Sequence, residues 1–369
     1  MRLFHPTFKW IIRKISGRMP PPLDLETFRP DAVNSILIVS STAIGDTLMS
    51  TPAIRSVRTS YPEANIVLLA RHRYRELFEN NRHVDKIISY HGGYKKFLQT
   101  VRLLRKEAFN LAVILHGNTP QAVPLAYLTG ARHLVTLPVE REFAYLISNR
   151  NGDHSSRLPR HTIKQRLGIA KLAGGAGTSV DMELVVTGEA QRQVDAWLHA
   201  TVDISDPLLV GFQAGASKPY KQWPVKSFAE LGKRILASHP RARIFAIGSP
   251  KEKALCAEVV RAVGSDRAVS VAGRFPLTQV AALIGRLDLL ITNDTGAMHI
   301  AIALKTKTVS LFCPTSSRVS GAIQDPVLHR AVEKDLPCRP CIGKKCTTPF
   351  CMEQITVEEV FRAFREFGW

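Results

Sequence analysis

The chain is constrained above all by an alternation, run twice, of short apolar segments with longer helical stretches. In the first run, residues 36–39, 66–70, 86–89, 111–115 and 134–137 read as strands, with helices expected over 48–60, 94–107 and 121–128. Short apolar strands bounded by helices rather than hairpin turns are the pattern of a parallel sheet buried on both faces. The rhythm breaks over 148–180, which is polar and basic and then glycine-rich at Gly174, Gly175 and Gly177. A strand is expected over 182–186 and a helix over 190–199. The second run places strands at 208–212, 244–247, 269–271, 289–292 and 308–312, with helices over 226–238, 251–263, 277–285 and 295–304. Two α/β units of similar size predict two Rossmann-like domains facing a central cleft.

Composition narrows the class. A chain of 369 residues with 45% hydrophobic and 22% charged residues is neither disordered nor collagen-like, and no apolar run approaches a membrane-spanning length. Fifty Lys and Arg against 31 Asp and Glu give a net charge of +19, which predicts attraction to an anionic partner: nucleic acid, a membrane surface or a phosphorylated substrate. The basic residues are dispersed, with small clusters at Arg71, Arg73 and Arg75 and at Arg157, Arg160, Lys164 and Arg166. Residues 1–33 form a separate segment. Phe4, Phe8, Ile11, Ile12 and Ile15 share one helical face, and Arg2, Lys9, Arg13, Lys14 and Arg18 occupy much of the rest. Such a helix can lie in an anionic membrane interface or dock on its own protein. Pro20, Pro21 and Pro22 end it. Nothing resembles a secretory signal, so a cytoplasmic protein is expected.

Three loops could carry chemistry. Ser40-Ser-Thr-Ala-Ile-Gly-Asp46 follows the first strand, so Asp46 stands at the carboxyl end of a sheet, where open α/β folds bind ligands. On the loop alone, Asp46 is also an ordinary helix cap. The loop lacks the glycine spacing of a dinucleotide fingerprint, and no P-loop occurs anywhere. In the second run, Gly215-Ala-Ser217-Lys218-Pro-Tyr-Lys221-Gln-Trp223-Pro224 offers Ser217 as a hydroxyl donor and Lys221 as a charge for phosphate oxygens, or a solvated lysine beside a packed Trp. Asn293-Asp294-Thr295-Gly296-Ala-Met-His299 leaves an apolar strand and opens a helix, whose first N–H groups make a diphosphate seat. Asn293 or Asp294 could equally cap that helix. No Asp-x-Asp pair is present to chelate a divalent cation, so hydrogen-bond donors and helix dipoles are expected to neutralise phosphate charge.

Taken in order, I-G-D…P-A-I-R…Y-P-x-A-x-I, then G-A-S…K-x-W-P…F-A-E-L, then N-D-T-G-x-M-H-I-A-x-A-L, the chain from about 34 to 365 closely resembles glycosyltransferase family 9, the ADP-heptose:lipopolysaccharide heptosyltransferases and their relatives. The resemblance implies an α/β GT-B fold and inverting transfer of a heptose or related sugar from an ADP-sugar to a lipopolysaccharide-type or other glycan acceptor. It implies Asp46 as the general base. For the donor it implies Ser217, Lys221, Asp294, Thr295, Gly296 and His299, with Glu252 near the ribose. It divides the chain into 34–187 for the acceptor, 188–355 for the nucleotide sugar, and a helix over 356–369 that crosses back to the first domain. Arg71 and Arg73 are candidate contacts to acceptor phosphates. A glycolipid acceptor would set the enzyme at the inner face of the cytoplasmic membrane as a peripheral protein, and no cofactor is required for catalysis.

Cys338, Cys341, Cys346 and Cys351 fall within 14 residues, and relatives carry a similar set; they can surround a structural zinc or iron ion or stand as reduced thiols. Cys256 and Cys313 read as small buried hydrophobes. Two other classes remain open at this point. One is a relative that binds nucleotide sugar without transferring it. The other is a basic nucleic-acid-binding protein with a four-cysteine metal module. The dispersed charge and the lack of RNP-like or helix-turn-helix patterns oppose the latter.

Overall fold

The computed structural model describes residues 4–94, 96–116, 119–137, 142–150, 161–202, 207–336 and 351–369. The chain divides into two compact units, residues 1–75 with 81–179, and residues 180–369 with 76–80.

The first unit runs α1 (Phe4–Ser16), β1 (Ser35–Ser40), α2 (Ile44–Leu48), α3 (Thr51–Ser60), β2 (Asn65–Arg71), β3 (Lys86–Tyr90), α4 (Phe97–Arg105), β4 (Leu111–Ile114), α5 (Ala122–Leu128), β5 (His133–Thr136) and α6 (Thr162–Leu172). Its sheet is all parallel in the order β3-β2-β1-β4-β5. Both faces are covered. Leu37, Val39, Val67, Leu69, Ala112 and Ile114 share a core with residues of α4 and α5, and Ile36, Ile38, Ile66, Leu68, Leu111 and Val113 are equally buried. The chain leaves β1 towards β2 on one side and returns to β4 on the other, so the carboxyl ends of β1 and β4 flank the topological switch point.

The second unit runs α7 (Gly188–Thr201), β6 (Leu208–Gln213), α8 (Val225–Ser238), β7 (Ala242–Ala246), α9 (Lys253–Val263), β8 (Ala268–Ser270), α10 (Leu277–Arg286), β9 (Leu289–Asn293), α11 (Gly296–Ala303), β10 (Lys307–Phe312), α12 (Ser317–Ser320), β11 (His329–Glu333) and α13 (Val357–Arg365). Its parallel sheet has the order β11-β10-β9-β6-β7-β8, which puts the switch point between β6 and β9. Cys256 and Cys313 are buried, and burial pushes the Cys256 thiol up to about 12, so both behave as apolar packing.

Several expectations are corrected. Residues 182–186 form no strand; Met182 is buried and donates its N–H to Gln324 Oε1 at 2.7 Å instead. Helix α6 and strand β11 were not anticipated. The carboxyl-terminal helix, expected to cross back to the first unit, is built into the second unit's own core through Val360, Ala363 and Phe364. Of the two placements open to α1, its stripe takes the docked one: Ile12 is 1% exposed, and Phe8 and Ile15 pack against the first unit's core. The Phe8 ring meets Tyr94, Phe97 and Phe143 at 4.7, 5.2 and 6.3 Å. Of that stripe, Ile11 is left exposed.

Candidate active site

In the first unit, β1 delivers the chain to Ser40 and Ser41 at the switch point, and Ala43 starts α2 so that Asp46 sits in its first turn. Acidic side chains are favoured there by the helix dipole. Both carboxylate oxygens are held. Thr42 donates its hydroxyl to Oδ2 at 2.8 Å, and Arg166 Nη2 donates to Oδ1 at 2.9 Å. The Arg166 guanidinium also donates through Nη1 to the Asp46 carbonyl and through Nε to the Leu115 carbonyl at 3.0 Å. Arg166 therefore ties the turn after β1 to the end of β4. Its side chain is 4% exposed, against 24% for Asp46. Burial alone would push the Asp46 carboxyl up. The Arg166 guanidinium, the Thr42 hydroxyl and the field of His116 outweigh it and hold the group below the ordinary aspartate range. His116 follows β4, is buried, and lies 3.3 Å from Ser41 Oγ through Nε2. The result is an ionised, oriented carboxylate at the switch point that keeps a face to solvent.

Arg166 was visible in the sequence only as one member of a basic cluster. Its signal is positional: Ile163, Arg166, Ile169 and Ala170 form the buried face of α6, and an arginine among them calls for an anionic partner. Arg71 ends β2 with its guanidinium over Gly92, where an added Cβ would fall 1.9 Å from Nη1. Arg73 and Arg75 are exposed on the following turn.

In the second unit, the loops after β6 and β9 meet at the switch point. Lys221 Nζ bonds Asp294 Oδ2 at 3.0 Å across them. Neither Asn293 nor Asp294, the two candidate caps, occupies the cap position of the helix. Asn293 is the fully buried last residue of β9, and its side chain fastens the β6 loop: Oδ1 accepts the Trp223 N–H at 3.0 Å, and Nδ2 donates to the Ala214 carbonyl at 2.8 Å. Trp223 is anchored a second time, its indole donating to the Ile355 carbonyl at 2.8 Å. Thr295 takes the cap position of α11 without a side-chain cap bond, so the first-turn N–H groups from Gly296 onward point out beside Lys221 and Asp294. His299 is buried one turn into α11. Ser217 is exposed on the β6 loop. Glu252 closes a capping box by accepting the Ser249 N–H at 2.7 Å. Its other carboxylate oxygen presses on Gly215, where a Cβ would fall 1.7 Å from Oε1, so only glycine admits that contact.

The structure thus gathers Lys221, Asp294, Thr295, Gly296 and His299 at one switch point, with Ser217 and Glu252 on or against the same loop. Cys338, Cys341 and Cys346 lie outside the described residues. Cys351 is buried, with Sγ 3.9 Å from the Tyr220 carbonyl, next to Lys221.

Residues 97–351 match the family described as glycosyltransferase family 9 (heptosyltransferase). Lipooligosaccharide heptosyltransferase 2 of Haemophilus influenzae is 24% identical over 318 residues, covering 82% of this chain and 90% of the relative. The solved structure of the Escherichia coli ADP-heptose lipopolysaccharide heptosyltransferase II superposes with a TM-score of 0.71 at 22% identity, covering 90% of this chain and 98% of that one. The Escherichia coli heptosyltransferase WaaC with ADP superposes with a TM-score of 0.67 at 16% identity, covering 90% and 100%. Two parallel α/β units, each with its polar groups at a switch point, are the GT-B architecture, and the protein is a glycosyltransferase. Within that class the chain belongs to glycosyltransferase family 9, the heptosyltransferases.

Proposed function

We propose that this enzyme transfers a heptose from ADP-heptose, with inversion, to a hydroxyl of a lipopolysaccharide-type acceptor. The observation that carries the reading is the ionised Asp46 carboxylate at the first unit's switch point, oriented by Arg166 and Thr42. The acceptor oxygen attacks the anomeric carbon as the bond from that carbon to the diphosphate breaks, and its proton passes to Asp46. Arg166 makes Asp46 a weak base, which suits a late transfer: the acceptor hydroxyl becomes acidic only as its new bond forms. The leaving ADP carries the developing charge, and Lys221 with the first-turn N–H groups of α11 is suited to receive it without a metal ion. The relatives named for ADP-heptose, and the one bound to ADP, support that donor.

The test is ADP release from ADP-heptose with and without a heptose-deficient lipopolysaccharide core as acceptor, beside UDP- and GDP-sugars as alternative donors. Acceptor-dependent release from ADP-heptose, with a product of inverted anomeric configuration, is expected. Release that ignores the acceptor, or a retained configuration, refutes the proposal.

A further inference from the structure

Among the described residues nine large hydrophobic side chains are exposed, and five of them, Trp10, Ile11, Leu98, Leu103 and Tyr145, belong to α1, α4 and the turn Ala144–Leu146. These elements meet at one point, because the Phe8 ring sits against Phe97 and Phe143. Leu98 and Tyr145 lie one and two residues from those rings, and Trp10 and Ile11 lie on the helix that bears Phe8. Trp10 at 58% and Leu98 at 63% exposure stand well clear of the core.

Basic residues dominate the charge around them. Residues 6–18 hold Lys9, Arg13, Lys14 and Arg18 with no acid, and residues 96–106 hold Lys96, Arg102, Arg105 and Lys106 with no acid. The nearby Glu142 is bridged to Lys9. Lys14 lies over the Trp10 ring at 4.2 Å, so an aromatic edge and a cation are presented together. Tyr94 and Phe143 follow the carboxyl ends of β3 and β5, so the surface borders the same edge of the sheet as Asp46.

We propose that the outer face of α1, with Leu98 and Tyr145, is a docking surface for an anionic lipid bilayer. It seats the first unit on the membrane beside a lipid-linked acceptor. The inward stripe Phe8, Ile12 and Ile15 holds α1 to the protein; Trp10 and Ile11, flanked by Arg13 and Lys14, enter the interface. This surface extends the proposed function but does not depend on which sugar is moved.

Sedimentation of the full-length protein with phosphatidylglycerol-containing and with pure phosphatidylcholine vesicles tests it. The wild type is expected to bind the anionic vesicles only, with a blue-shifted Trp emission that is lost in Trp10→Phe. Trp10→Ser/Ile11→Ser/Leu98→Ser should lose at least tenfold in partitioning. Arg13→Gln/Lys14→Gln should lose about thirtyfold, since each basic residue near an anionic surface contributes ~1 kcal/mol. Both variants should keep the wild-type melting temperature and turn over a soluble acceptor fragment at the wild-type rate. Equal vesicle binding by wild type and both variants, equal binding to neutral vesicles, or no binding at all overturns the proposal, whatever the outcome of the donor assay.

Discussion

Replacing Arg166 by methionine removes the charge and keeps much of the volume. Asp46 Oδ1 and the Leu115 carbonyl lose their donor, and the Asp46 carbonyl loses one of two, keeping the Ser50 hydroxyl at 3.0 Å. Breaking a buried ion pair by removing one partner costs about 3–5 kcal/mol. Asp46 retains a solvent face and recovers part of that, while the carbonyl of buried Leu115 does not. A net loss of about 3 kcal/mol follows, which for a unit of this size lowers its melting temperature by ~6–12 °C. The second consequence is kinetic. Burial is already the largest single influence on Asp46; without the guanidinium only the Thr42 hydroxyl and the field of His116 oppose it, so the carboxyl moves up from its depressed position. The acid limb of the kcat/KM profile should therefore move up in pH. Arg166→Lys, which keeps the charge but loses the fork, should fall between. Thermal unfolding and pH profiles of the three proteins read both effects. A variant that is less active at every pH with an unmoved acid limb would reduce Arg166 to a structural role. An unchanged melting temperature would refute the ion-pair argument altogether.

Other outcomes follow from the same contacts. Because the folded Asp46 carboxyl titrates below its unfolded value, the pair's stabilisation is complete above about pH 4 and is lost as pH falls further, visible as acid unfolding of the wild type that Arg166→Met blunts. Lys221→Ala should weaken ADP binding about ten- to a hundredfold by calorimetry, through loss of a charge-assisted contact to the diphosphate. Asn293→Ala leaves the Trp223 N–H and the Ala214 carbonyl unmet and should cost about 2–4 kcal/mol in thermal or denaturant unfolding, with a raised donor KM as the β6 loop loosens. Transfer should persist in EDTA with the fold monitored alongside; loss of donor binding that magnesium or manganese restores would contradict metal-free catalysis.

The sheets were legible because parallel strands buried on both faces announce themselves as apolar runs. The exceptions have physical reasons. Strand β11, His329–Glu333, is a half-exposed edge strand with polar residues, and 182–186 mimics a strand while belonging to neither sheet, Met182 being buried with its N–H on Gln324. Amphipathicity showed that α1 buries a face, but not against what. At the site, Asp46 and Lys221 were found from their place after strands, whereas Arg166 is 120 residues from Asp46 and Trp223 is 70 from Asn293. Such partners cannot be read locally. The spacing Ser249-x-x-Glu252 is itself a local signature of the capping box that Glu252 closes.

If Asp46 takes the proton of the acceptor hydroxyl, Asp46→Asn removes that step itself. The amide oxygen can still accept from Arg166, but the buried guanidinium loses its counter-charge, so a lowered melting temperature is expected and transfer is measured well below it. Single-turnover transfer with saturating ADP-heptose should fall about 10²–10⁴-fold, the usual contribution of a general base, while the donor Kd stays within about twofold. Near-wild-type turnover by a folded Asp46→Asn enzyme would contradict the account.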